Sequence, residues 1–237
     1  MVKQNPFTGI LIALTIILLW GISLFFFLKA ELTSASLWVV PAMLWQTFLY
    51  TGLFITAHDA MHGSVAPRLP ALNRAIGRQA VAFYALFSYR KLLREHRLHH
   101  RHPGSNNDPD FHVPGKNGFW RWYAHFMWHY ITWPQLLGMA IAFNLMRYLL
   151  HIPVENILLF WVAPALLSTL QLFFFGTYLP HRETEQPFAD EHHARSLRYP
   201  ILWSWLSCYH FGGYHHEHHL SPHTPWWRLP QKSTDLK

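Results

Sequence analysis

The stretch "FTGILIALTIILLWGISLFFFL", Phe7 to Leu28, runs for 22 residues without a charged side chain. A helix rises 1.5 Å per residue, so this length covers a hydrocarbon core of roughly 30 Å. Backbone inside lipid must satisfy its own N–H and C=O groups, which makes a spanning helix the structure this stretch can adopt. The run is longer than the apolar core of a secretory signal, and no convincing small-x-small cleavage site precedes Lys29, so we read it as a retained helix.

Three further apolar segments follow. An uncharged run from Ser36 to Ala57 leads into "HDAMHG", a less clean one centres on Ile131 to Met146, and a last one, Ile157 to Leu179, meets "PHR". The expected spans are therefore approximately 7–28, 36–57, 130–149 and 157–179, within a single membrane-embedded domain of 237 residues. Pro41, Pro134 and Pro164 are tolerable there, because neighbouring helices and local distortions can satisfy the freed carbonyls. Composition agrees: 13% of the residues are charged, against roughly 25% in a soluble domain. The fold class is thus all-α, an integral membrane protein of four transmembrane helices.

Of the 19 Lys and Arg, all but Lys29 and Arg147 fall on the side holding the N-terminus, the 62–130 loop and the tail. That asymmetry puts both termini in the cytoplasm, as in a bacterial inner membrane, and accounts for the net charge of +7 without nucleic acid. Gln79 to Glu95 is too short to span and would break the parity, so it is expected to be an interfacial or re-entrant helix. "FWRWYAHFMWHYITW" and "PWWRLP" read as aromatic anchors at the membrane boundary.

Histidine, with 19 copies against 12 acids, is the residue in excess. "HDAMH" supplies His58 and His62, "HRLHH" supplies His96, His99 and His100, and "HHEHH" supplies His215, His218 and His219. Spacings of three and four put side chains on one helix face, where imidazoles can converge on a metal. His181, at the cytoplasmic end of the last span, is a ninth candidate. One zinc needs three or four protein ligands, so nine rings are more economically explained by two metals forming a cytosolic histidine-rich cap. Imidazole suits iron, zinc and copper alike.

A metal-bound imidazole donates its other N–H to a carboxylate, carbonyl or water, a role open to Asp59, Asp108, Asp110 and Glu217. His102, His112, His192, His193, His210 and His223 could act from the same outer layer. His125 and His129 sit in an aromatic boundary segment, where packing is the simpler role. The lone Cys208 rules out an intrachain disulfide and any multi-cysteine metal site. No H-E-x-x-H zinc-protease pattern and no nucleophile elbow is present.

"FITAHDAMHGSVAP", "YRKLLREHRLHHRHPGSNNDPDFH", "FFFGTYLPHR" and "CYHFGGYHHEHHLSPHTPWWRLP" together resemble the bacterial β-carotene ketolases, within the integral-membrane fatty acid desaturase and hydroxylase superfamily. The resemblance covers most of the chain from Leu49 to Pro230. It implies a diiron centre held by His58, His62, His96, His99, His100, His181, His215, His218 and His219, with dioxygen as co-substrate and electrons from a ferredoxin-type donor. It also implies a carotenoid substrate, β-carotene, drawn from the membrane lipids. Two successive hydroxylations at ring C4, followed by loss of water, would give the ketone. A lipid desaturase or hydroxylase with the same irons is the rival enzyme. A metal transporter or sensor is the non-enzymatic rival, but its ligands belong near the bilayer midplane.

Overall fold

The computed structural model describes residues 7–33 and 37–235, with side chains up to Lys232. Ser36, where the second span is expected to start, lies outside the described residues. Among the described residues the secondary structure is entirely helical.

Three helices among the described residues are long and apolar enough to cross a membrane: α1 (Thr8–Lys29), α2 (Val39–Met61) and the 28-residue helix Val154–His181. α1 and α2 run antiparallel. Gly52 of α2 lets them close, since a Cβ there would collide with Ile16 and with the Tyr209 hydroxyl. Ser23 Oγ donates to Gln46 Oε1 at 2.8 Å, pairing polar groups between helices where lipid offers none.

The turn after α2 is fixed by sequence. Gly63 adopts φ +75°, a left-handed conformation that costs glycine little, and its N–H reaches the Ala60 carbonyl while the Ser64 N–H reaches that of Asp59. α3 (Pro70–Ala85) then packs on α2, with Asn73 Nδ2 donating to the Ala60 carbonyl at 2.7 Å. The single helix expected over Gln79 to Glu95 is instead two. Leu86 takes φ 55°, and Ser88 caps α4 (Tyr89–Arg101) by accepting from the Lys91 N–H. No glycine or proline marks this break in the sequence.

The expected span at 130–149 is also interrupted. α5 (Phe119–Tyr130) ends at Ile131, and α6 (Trp133–Asn144) starts from a Thr132–Gln135 capping box with Pro134 in its first turn. α6 continues into a five-residue π-turn, Leu145–Leu149. Its length falls short of the three long helices, yet it carries the chain from one end of the bundle to the other. Tyr130 hydrogen-bonds Asp110 near the histidine clusters, whereas Asn156 donates to the carbonyls of Phe27 and Ala30 at the far end of α1, at 2.9 and 2.8 Å.

α7 (Val154–His181) returns toward the histidines. It contains π-turns at Leu158–Val162 and Phe174–Tyr178, each followed within two residues by a proline, Pro164 or Pro180, that cannot donate to the helix ladder. Inside the bundle Thr51 Oγ1 donates to Gln171 Oε1 at 2.7 Å, and Gln171 Nε2 donates to the Ser207 carbonyl at 2.6 Å. That ties α2, α7 and the short α8 (Ile201–Cys208) together. A turn with positive φ at Tyr209 and His210 leads through Gly212 and Gly213 into α9 (His215–Leu220).

Candidate metal centre

Four segments end at the same place. α2 brings His58 and, at its cap, His62; α4 brings His96, His99 and His100; α7 ends on His181; α9 brings His215, His218 and His219. Their rings form two adjacent groups. His58, His62, His96, His100 and His218 make one, and His99, His181, His215 and His219 the other. Within each group the candidate ligand nitrogens all lie within 4.8 Å of one another.

The doublets acquire a reason. Successive residues of a helix point about 100° apart, so His99 and His100 face different groups, as do His218 and His219. α4 and α9 each feed both sites, which places the two groups side by side; the His100 and His219 rings have centroids 4.4 Å apart.

In eight of the nine rings Nε2 faces another Nε2: 2.7 Å for His62–His96, 3.1 Å for His96–His100, 3.0 Å for His100–His218, 2.8 Å for His181–His215 and 3.2 Å for His99–His219. A metal–nitrogen bond of roughly 2.0–2.1 Å puts ligands at right angles about 3 Å apart. The donor set therefore fits one small cation per group. Burial, reinforced by the neighbouring rings, holds His62, His96, His100, His215, His218 and His219 below the ordinary imidazole range. The neutral ring is the form that binds metal.

His99 differs. Burial opposes its charge, but the carboxylates of Asp108 and Asp110 outweigh that and raise its pKa. Its Nδ1 donates to both oxygens of Asp108, at 3.0 and 3.1 Å, which leaves Nε2 facing the group. Asp108 is itself held by the N–H groups of Gly104 and Asp110 at 2.9 Å each. His181 Nδ1 donates to the His193 carbonyl at 2.8 Å, giving the same result with a backbone acceptor.

Asp59 and Glu217, the other expected partners, differ. Asp59 lies 3.7 Å from His58 Nδ1, and its Oδ2 accepts the Trp226 N–H at 3.1 Å, anchoring the "PWWR" turn. Glu217 accepts from Ser196, whose Oγ accepts the His216 N–H, so it clamps a loop to α9 instead of orienting a ring in either group. His129 pairs with Glu95 at 3.1 Å, away from both groups. His223 supports His62 only through its carbonyl, at 2.8 Å. The sequence reading did not single out Tyr130, whose hydroxyl donates to Asp110, nor the His193 carbonyl. A backbone acceptor carries no residue-type signal.

The two groups open on an apolar pocket walled by Phe54, Tyr84, Phe87, Phe126, Leu172 and Phe211, with Asp110 its one carboxylate. Helices that span a membrane, bearing paired histidine groups at one end of the bundle, define a class of integral-membrane metalloprotein. The profile of the fatty acid desaturase family matches residues 35–154 and 127–237, and the chain belongs to that family.

Its similarity is more specific than the family alone. A beta-carotene ketolase of Paracoccus sp. (strain PC1) is 50% identical over 186 residues, 78% of this chain and 75% of that one. A beta-carotene ketolase of Paracoccus sp. (strain N81106 / MBIC 01143) is 47% identical over 188 residues, 79% and 76% of the two chains. A zeaxanthin 4-ketolase of Chlamydomonas reinhardtii is 41% identical over 244 residues, 96% of this chain and 54% of that one. The resemblance read from the histidine boxes thus extends over most of this chain.

Proposed function

We propose that this chain is a carotenoid ketolase that converts the C4 methylene of a β-ionone ring to a ketone, taking β-carotene through echinenone to canthaxanthin. The observation that carries the reading is the opening of two histidine groups, one buried and one half-buried, onto an apolar pocket. The names of the relatives supply the reaction and the substrate class.

On this reading His58, His62, His96, His100 and His218 hold one iron, and His99, His181, His215 and His219 the other. A bound iron pair would supply activation of dioxygen and the oxidising power to break the allylic C–H bond at ring C4, drawing electrons from a ferredoxin-type donor. The protein does the rest. Neutral rings present lone pairs inward, Asp108 fixes the tautomer of His99, and the aromatic walls exclude water and orient a hydrocarbon ring. No charged side chain needs to attack the substrate. The Lys and Arg asymmetry supports a site on the cytoplasmic face of a bacterial inner membrane, and the passage of 133–149 between the two ends of the bundle supports a fourth crossing.

Expression in a host that makes β-carotene tests this. Ring ketones should accumulate with the native chain and vanish with His99→Ala at equal membrane level. Unchanged pigment alongside altered acyl chains would sink the ketolase reading in favour of a lipid-modifying enzyme.

A further inference from the structure

Beyond the reaction pocket lies a second apolar cavity that the chemistry does not use. It is a cleft between one face of α6, through Ala140 and Phe143, and one face of α7, through Trp161 and Ala165. The two cavities share Tyr84, Phe87, Met127 and Thr169, which form a throat between them. From Trp161 at the outer end to Thr177 beside the histidines, α7 advances roughly 24 Å, most of the ~30 Å hydrocarbon thickness.

The lining specifies the occupant. No charged residue faces the cleft. Its polar side chains direct their donors into the protein: Tyr84 to Ser168 at 3.1 Å, Gln135 to the Ala85 carbonyl at 2.8 Å, Thr169 to the Leu166 carbonyl at 2.7 Å and Asn144 to the Ala140 carbonyl at 2.8 Å. A guest therefore meets walls that are mostly hydrocarbon and carry no charge, which selects against an ionic headgroup. The lip is open on the lipid side, where Leu136 and Leu166 are exposed.

We propose that the α6–α7 cleft is the binding site for the polyene of the carotenoid, with the reacting ring passed through the throat to the histidines and the rest of the molecule lying along the two helices. The inference rests on the ketolase reading for the identity of the guest. A long, straight and rigid hydrocarbon fits a cleft built from two continuous helix faces, and its continuity with the pocket lets one molecule fill both. Entry is then sideways from the bilayer.

The test uses purified, iron-loaded protein in phosphatidylcholine nanodiscs with β-carotene, dioxygen and a reduced ferredoxin-type electron donor. An achiral polyene held in a protein cleft acquires circular dichroism in its visible band, a readout independent of turnover. Ala140→Phe and Val162→Phe fill the cleft from facing helices at positions outside the reaction pocket, while Leu137→Phe alters a position on α6 outside the cleft. The two cleft variants should lose the induced signal and the ketone yield by about tenfold or more, with iron retained, and Leu137→Phe should match the native chain. Ala140→Leu, a smaller intrusion, should give a partial loss in case the larger side chains disturb folding. If native protein makes ketones and the cleft variants keep both signal and yield, the cleft assignment is overturned and the ketolase reading stands. If native protein binds pigment in the cleft but makes no ketone, the ketolase reading fails instead.

Discussion

Asp108 sets both of its carboxylate oxygens against Nδ1 of His99, at 3.0 and 3.1 Å, from nine residues further along the chain. The contact decides which nitrogen of His99 carries the proton and so which one faces the four-histidine group. Asp108→Asn keeps the shape but removes the charge. It should weaken metal retention at that group by about 10- to 100-fold, read by competition with a chelator, while the five-histidine group is little changed.

The π-turn at Phe174–Tyr178 immediately precedes His181. A π-turn holds one more residue than an α-turn, so it rotates everything after it by about 100° relative to a regular helix. Deleting Gly176 should restore regular phase and swing His181 away from His215. Iron content should then fall to about one per chain, with membrane insertion kept.

Metal removal should expose a pH dependence. In the folded chain burial depresses the pKa values of His96, His215, His218 and His219 below the unfolded reference of 6.5. Below about pH 6.5 the unfolded chain therefore binds protons that the folded chain refuses, and stability falls as pH falls. His99 acts in the opposite sense, since its raised pKa contributes stability at low pH that is lost as pH rises through the folded value, but it is one ring against several. Chelated protein should show a steady melting temperature from pH 8 to 7 and a steep decline below about 6.5. A flat profile would contradict the burial of neutral rings.

Gln171 lies inside the bundle and joins α7 to both α2 and α8. Gln171→Leu leaves the Ser207 carbonyl and Thr51 without this partner and should cost roughly 1–3 kcal/mol, visible as a lower melting temperature in detergent. Because α8 leads into α9, iron loss on heating should begin earlier in the variant.

What the sequence discloses follows the range of each interaction. Spacings of four are local, so His58 with His62, His96 with His100 and His215 with His219 could be read on one helix face. The division of His99 from His100 between two groups depends on how α4 is rotated against α2 and α9, which no local spacing encodes. The break at Leu86 was hidden because a leucine holds the left-handed turn. The interruption at Thr132 was written in a capping box, but an apolar background masked it. Glu217 sat between histidines in sequence and yet faces Ser196, because neighbours on a helix point in different directions.

Metal analysis of the purified chain tests the pairing of the two histidine groups most directly. About two irons per polypeptide are expected, falling to about one when His181 and His215 are replaced together by alanine. One ion per native chain, or zinc in place of iron, would contradict the diiron account.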